Sequence, residues 1–259
     1  MGTEMKNSGK ILLLCAMLST FTMTNSIFAQ QNQSKKQVNK ITDVREERRK
    51  IMNIKVEATT QDAGKPIQKA KIASNDNIQT LLENRQSFRD FAEGDSLNAR
   101  ELAAILWCAN GTNREGKGRT VPSALAMNLI DIYVFNQSGV YKWDPVSSSI
   151  LPISSGDMRG ETGMQEFVQN AALNLVMVFD SHKIEEQKPD LKIEKDKAAI
   201  YAGIEAGAIS ENIYLACAAL NLGTVVRGSF DNDKLLNILQ LMPENCSVIC
   251  AQSIGRMSK

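Results

Sequence analysis

Residues Ala172–Phe179 are apolar with the single exception of Asn174, and this run constrains the fold most. A strand with one wet face alternates apolar and polar side chains, whereas an unbroken apolar run suits a strand buried on both faces. Layers must then cover both sides of the sheet that contains it. Upstream, Asn77–Asn84 carries Ile78, Leu81 and Leu82 at helical spacing. A second helix is predicted from near Ser96 through Leu102, Ile105 and Leu106, stopped by Asn110-Gly111 as a left-handed cap would stop it. A polar, Gly-rich loop follows over 112–120. Ile130–Phe135 and Val140–Trp143 are expected as strands joined by a turn at Asn136–Gly139, with another turn at Asp144-Pro145.

Downstream, Lys183–Lys197 is charged and is expected to be a solvated loop. The longest helix is predicted over about Ala198–Leu222 and ended by Gly223. Its Ala202, Gly203, Ala206 and Gly207 put small side chains on adjacent turns, so another backbone can approach closely. Thr224–Arg227 is predicted as a strand, Asp231 as the cap of a short helix reaching Leu239, and Val248–Ile254 as the last strand. The pattern is that of one α+β domain over 71–259, with antiparallel features in its middle.

The N-terminus is set apart from that domain. Lys6 and Lys10 precede an apolar stretch, Ile11–Leu18; then come polar Thr20–Asn25 and a small residue, Ala29, before Gln30. This order predicts a cleavable signal over 1–29 and export, to a periplasm where the cell has one. An uncut anchor is the other reading, although the apolar stretch is short for a span of about 20 residues. Leu12-Leu13-Leu14-Cys15 is close to a lipoprotein signal but sits too early. Residues 30–70 are polar and charged, including Arg45-Glu46-Glu47-Arg48-Arg49-Lys50, and are expected to form a linker or arm. Cys108 and Cys217 fall in apolar helical stretches, and Cys246 and Cys250 flank an apolar strand pattern. None shows disulfide-scaffold or zinc spacing.

Most chemistries are excluded by what is missing. The net charge of +1 gives no field for nucleic acid or an anionic membrane. There is one histidine, His182, with no serine–acid constellation near it, so the usual hydrolase triad is absent. No histidine–carboxylate cluster suits a transition metal, and neither a Walker loop nor GxGxxG occurs. No residue stands out as a catalytic acid or base. A bound organic cofactor would explain enzymatic activity in such a chain.

Arg85-Gln86-Ser87-Phe88-Arg89 offers two guanidinium groups and a hydroxyl that alternate to one side of an extended segment, a donor set suited to phosphate. Leu81–Phe91 and the Glu101–Gly111 helix after it resemble the start of a nitroreductase-family domain. Four more segments follow in the family's order. They are Arg119-Thr120-Val121-Pro122-Ser123-Ala124, Gly207–Asn212, Leu222–Gly228 and Ser253-Ile254-Gly255-Arg256. The resemblance spans about Ile72 to Lys259. The 112–120 loop and the tyrosine-containing hairpin at 139–143 look closer to the branch resembling flavin-dependent azoline oxidases.

The resemblance implies an FMN-binding fold, a mostly antiparallel sheet flanked by helices, and a homodimer. It implies that Arg85, Ser87 and Arg89 bind the FMN phosphate and ribityl chain, and that Pro122, Ser123 and Ala124 meet the flavin of the partner subunit. Arg227 and Gly228 would run beside the isoalloxazine, and Arg256 would be a basic phosphate ligand. Arg227 stands where many members carry an acidic residue; it would either add positive charge at the flavin or pair with a carboxylate across the dimer. The implied reaction is hydride transfer through flavin N5 to or from a small organic substrate, with NAD(P)H as a donor in vitro. The alternatives are an exported flavin carrier without turnover and a dehydrogenase or oxidase of the azoline type.

Overall fold

The computed structural model describes residues 78–258. The expected signal (1–29), the arm (30–70), the start of the domain (71–77) and Lys259 lie outside the described residues. The elements are α1 (Ile78–Asn84), α2 (Ala99–Asn110), β1 (Thr112–Asn113), β2 (Gly118–Arg119), β3 (Ile130–Asn136), β4 (Gly139–Asp144) and β5 (Ser149–Ser155). They continue with β6 (Leu173–Asp180), α3 (His182–Gln187), α4 (Lys195–Ala219), β7 (Gly223–Arg227), α5 (Asn232–Ile238) and β8 (Cys246–Gly255). The main sheet has six strands in the order β5-β4-β3-β6-β8-β7, and every pairing in it is antiparallel.

The apolar run is β6, held between β3 and β8. Its side chains alternate between two cores. Leu175 and Met177 join Ile132 and Val134 of β3 beneath α4, against Ala202, Ala206, Ile209 and Ile213. Val176 and Val178 join Tyr133 and Phe135 on the opposite face, against Leu235 and Leu236 of α5. Both faces are therefore dry, and each fully buried aliphatic side chain contributes about 1.5–3 kcal/mol. Asn174 interrupts the run because it bonds a buried network described below.

Several local expectations change. Gly111 is extended (φ −62°, ψ 164°), not left-handed. Glycine is needed there because a Cβ would lie 2.5 Å from the Trp107 ring. The left-handed residue after α4 is Asn221, at φ 54°, so the helix ends before Gly223, which opens β7. The 112–120 loop contains the β1–β2 hairpin. Strand β5 was not expected, since Pro152 argues against a strand; it is tolerated because β5 is a sheet edge. The charged stretch after β6 holds α3 and the first turn of α4.

Helix α2 starts with a capping box: Asn98 Oδ1 accepts from the Glu101 amide at 3.0 Å, and Glu101 Oε2 accepts from the Asn98 amide at 3.0 Å. Helix α4 carries an exposed apolar stripe, with Ile200 at 62% and Ile204 at 63% of full exposure. On the same side, a Cβ added at Gly203 or Gly207 would meet nothing within 4 Å. No described helix is long and apolar enough to cross a membrane.

Candidate active site

The segment after α1 runs past the start of β7 and the end of β8. The Phe88 amide donates to the Thr224 carbonyl at 2.8 Å, and Phe91 bridges to Met257. Tyr214, in the C-terminal half of α4, organises the meeting point. A tyrosine in a helix face that is otherwise apolar must find a partner for its hydroxyl. Here the hydroxyl accepts from the Val226 amide at 3.0 Å and lies 2.8 Å from Ser87 Oγ. The Arg85 guanidinium stands over the Tyr214 ring, 5.2 Å from its centre. Arg85 and Ser87 are thus brought to one place by Tyr214. Arg89 is exposed, with no carboxylate partner among the described residues.

Beside this point opens a cavity of about 240 Å³, lined by Asn84, Gln86, Tyr214, Ala218, Asn221, Leu222, Thr224 and Met257. Its polar lining is neutral. Two guanidinium groups without carboxylate partners among the described residues, a serine hydroxyl and a neutral cavity fit a phosphate and a hydroxyl-rich chain.

Arg256 does not join them. Its Nη2 donates to both carboxylate oxygens of Glu101, at 2.8 and 3.0 Å, and its Nε lies 3.8 Å from Asp95. The expected basic phosphate ligand is paired with two acidic groups here, and would have to leave Glu101 to bind a phosphate.

Arg227 is corrected more sharply. It is only 5% exposed. Its Nε donates to Ser253 Oγ at 3.0 Å, its Nη1 to the Thr162 carbonyl at 2.8 Å, and its Nη2 to Asn174 Oδ1 at 3.2 Å. Ser253 Oγ in turn donates to Asn174 Oδ1 at 2.5 Å. Burial pushes the guanidinium down to about 10. A neutral polar network inside the subunit thus satisfies the side chain, which argues against the expected roles at the flavin or with a carboxylate across a dimer. Gly228, the next residue, is exposed.

The Pro122-Ser123-Ala124 segment lies elsewhere on α4. Ser123 Oγ donates to Glu205 Oε2 at 2.5 Å and accepts from the Asn128 amide at 2.8 Å. The Leu129 and Ile130 amides donate to the same carboxylate at 3.1 and 3.2 Å. Between these anchors Leu125, Ala126 and Asn128 all have positive φ, 53°, 57° and 48°. From the other side Lys183 Nζ donates to the Asn128 carbonyl at 3.1 Å and also pairs with Asp131. Burial pushes the Asp131 carboxyl up, but the ammonium groups of Lys183 and Lys142 more than offset this and hold it below its usual range. Glu205 and Tyr214 are nine residues apart on α4, roughly 13 Å along a helix axis.

The sequence reading missed both Glu205 and Tyr214. A signal for Glu205 existed: it shares a helical stripe with Ala198, Ala202, Ala206 and Ile209, and a carboxylate among buried small residues needs partners. Asn212, on α4, donates to the Cys108 carbonyl at 2.9 Å. His182 lies at the surface, 3.6 Å from Asp180, away from any nucleophile. All four described cysteines are free, and no metal-holding cluster exists among the described residues.

The sequence model described as Nitroreductase family matches residues 82–256. The chain belongs to the nitroreductase family. Membership makes it an FMN-dependent oxidoreductase, and the Arg85–Ser87–Tyr214 corner fits the cofactor. A solved structure of a nitroreductase from Ralstonia eutropha is similar over 76% of this chain and 94% of its own, at 33% identity and a TM-score of 0.65. A nitroreductase of Methanocaldococcus jannaschii is 29% identical over 174 residues, 63% of this chain and 84% of that one. The NADPH-flavin oxidoreductase of Vibrio harveyi is 27% identical over 116 residues, 41% of this chain and 47% of that one.

Proposed function

We propose that this nitroreductase-family protein transfers hydride to or from a small organic substrate, as an exported homodimer with FMN in each half. The observation that carries the cofactor placement is the convergence of Arg85 and Ser87 on Tyr214, with Arg89 in the same extended segment. Arg85 and Arg89 bind the phosphate, Ser87 donates to it or to the ribityl chain, and the cavity beside Tyr214 offers neutral polar groups at that end. FMN, when bound, supplies hydride transfer at N5. The protein's own part is to hold and orient that group and to present backbone amides beside it. The residues after Arg227 contribute through the backbone at Gly228, since the Arg227 side chain is committed inward.

Pro122–Ala124 and the Arg85–Arg89 segment dock at separate points of α4, which supports a site completed by two subunits: one binds the phosphate, the other brings the Pro-Ser loop. The exposed Ile200–Gly207 stripe supports the same assembly. The charge and apolar order of residues 6–29 supports export. An exported enzyme meets little NADH or NADPH, so the physiological reaction is substrate dehydrogenation or reduction by a non-nicotinamide donor. Nicotinamides still reduce an accessible flavin in vitro.

The test is stopped-flow reduction of the FMN-loaded protein by NADH, NADPH and small-molecule reductants at matched concentrations. Slow, unsaturating reduction by both nicotinamides is expected. Fast, saturable reduction by one of them at micromolar concentration would refute the donor assignment. A flavin that no donor reduces would make the protein a carrier instead of an enzyme.

A further inference from the structure

We propose that Glu205 is a positioning residue for the flavin, acting through the Pro122–Asn128 loop. This rests on the reading that Pro122–Ala124 meets the partner's flavin. Glu205 sits mid-way along α4 and is 2% exposed. A carboxylate so buried must be paired, yet no lysine or arginine forms a salt bridge with it among the described residues. Instead three donors from the loop and the start of β3 close on it: the Ser123 hydroxyl at 2.5 Å and the Leu129 and Ile130 amides at 3.1 and 3.2 Å. These donors bracket the three left-handed residues, Leu125, Ala126 and Asn128. Non-glycine residues avoid that region, and such a conformation persists only where its surroundings fix it. Glu205 fixes both ends of the loop, and the Asn128 amide on Ser123 Oγ closes it. Leu125 and Ala126 are left exposed at the apex, with Leu125 at 57%.

The arrangement accounts for a carboxylate in a helix face of small residues. It places the control of the flavin-facing loop on the same helix whose other end, at Tyr214, holds the phosphate segment. Glu205 touches no reacting atom; its effect reaches the flavin through the position of the Ser123–Ala126 backbone.

Glu205→Gln keeps size but presents an amide NH₂ to donors that expect oxygen. Ser123→Ala removes one link only and serves if Glu205→Gln does not fold. Ala124→Leu probes the loop's contact with flavin directly. All three are purified with FMN, and the visible spectrum, the two-electron midpoint potential and the FMN dissociation constant are measured. We expect Glu205→Gln and Ser123→Ala to change the flavin spectrum. They should also shift the ratio of oxidised to reduced FMN affinity by about tenfold, or about 30 mV for a two-electron couple. Oxidised-FMN affinity, set at Arg85, should change less than threefold. A spectrum and potential altered by Ala124→Leu but by neither of the other two would overturn the role of Glu205 and leave the loop's flavin contact standing. No change in any of the three would overturn the flavin contact itself, and the proposal with it.

Discussion

Arg85 and Arg256 were both expected to bind the flavin phosphate, and they sit in opposite electrostatic settings. Arg85 stacks on a neutral ring, whereas Arg256 already holds Glu101 and borders Asp95. A charge-assisted hydrogen bond contributes about 1.5–3 kcal/mol, so Arg85→Ala should weaken FMN binding by roughly 10- to 150-fold. Arg256→Ala removes a partly exposed ion pair instead, worth at most about 1 kcal/mol, and should leave FMN affinity within roughly fivefold of wild type. Fluorescence titration of FMN against the two variants separates them. Equal losses for both would show that Arg256 releases Glu101 when the cofactor binds. The motif was legible because its residue types suit phosphate whatever the fold. The pairing of Arg256 was not, because Glu101 lies 155 positions away in sequence.

At the scale of elements, the proposed dimer rests on α4. Its inward face is closed by the sheet, while Ile200, Gly203, Ile204 and Gly207 face outward with no described residue over them. Obligate interfaces commonly bury about 2,000 Å² or more. Gly207→Leu adds a side chain into open space within one chain, so the subunit should fold normally. The expected outcome is a dimer weakened enough for light scattering to detect monomer at micromolar concentration, with loss of bound flavin. A flavin-loaded dimer unchanged by the substitution would contradict that use of the stripe. The helix itself was legible, within three residues at each end, because its small and apolar residues recur at helical spacing. Strand β5 was not, since Pro152 breaks the strand pattern and only the sheet edge makes room for it. Arg227 shows a further limit: the sequence placed it at the end of a strand, but the polar network that claims it comes from Thr162, Asn174 and Ser253, three separate stretches of chain.

For the whole molecule, the run Ala172–Phe179 made the layered plan legible before any pairing was known, since a strand dry on both faces demands cover on both. The order of strands was not legible, because antiparallel neighbours far apart in sequence leave no local mark. The N-terminal stretch belongs to this scale too. Mass spectrometry of the protein from its native host should find a mature chain beginning near Gln30, and an intact Met1 in a soluble cytosolic fraction would contradict export. The strand order carries a consequence for how the molecule comes into being. Among the described strands, β7 pairs with β8 alone, and β8 comes last in chain order. The Asp90 carbonyl waits for the Ser258 amide, and the Ala92 amide for the Arg256 carbonyl. The stretch bearing Arg85, Ser87 and Arg89 precedes every strand of the sheet, yet its neighbours Asp90 and Ala92 are held by residues that follow β8. A growing chain has no finished cradle for a cofactor until β8 and residues 256–258 have been made, so flavin loading follows their synthesis.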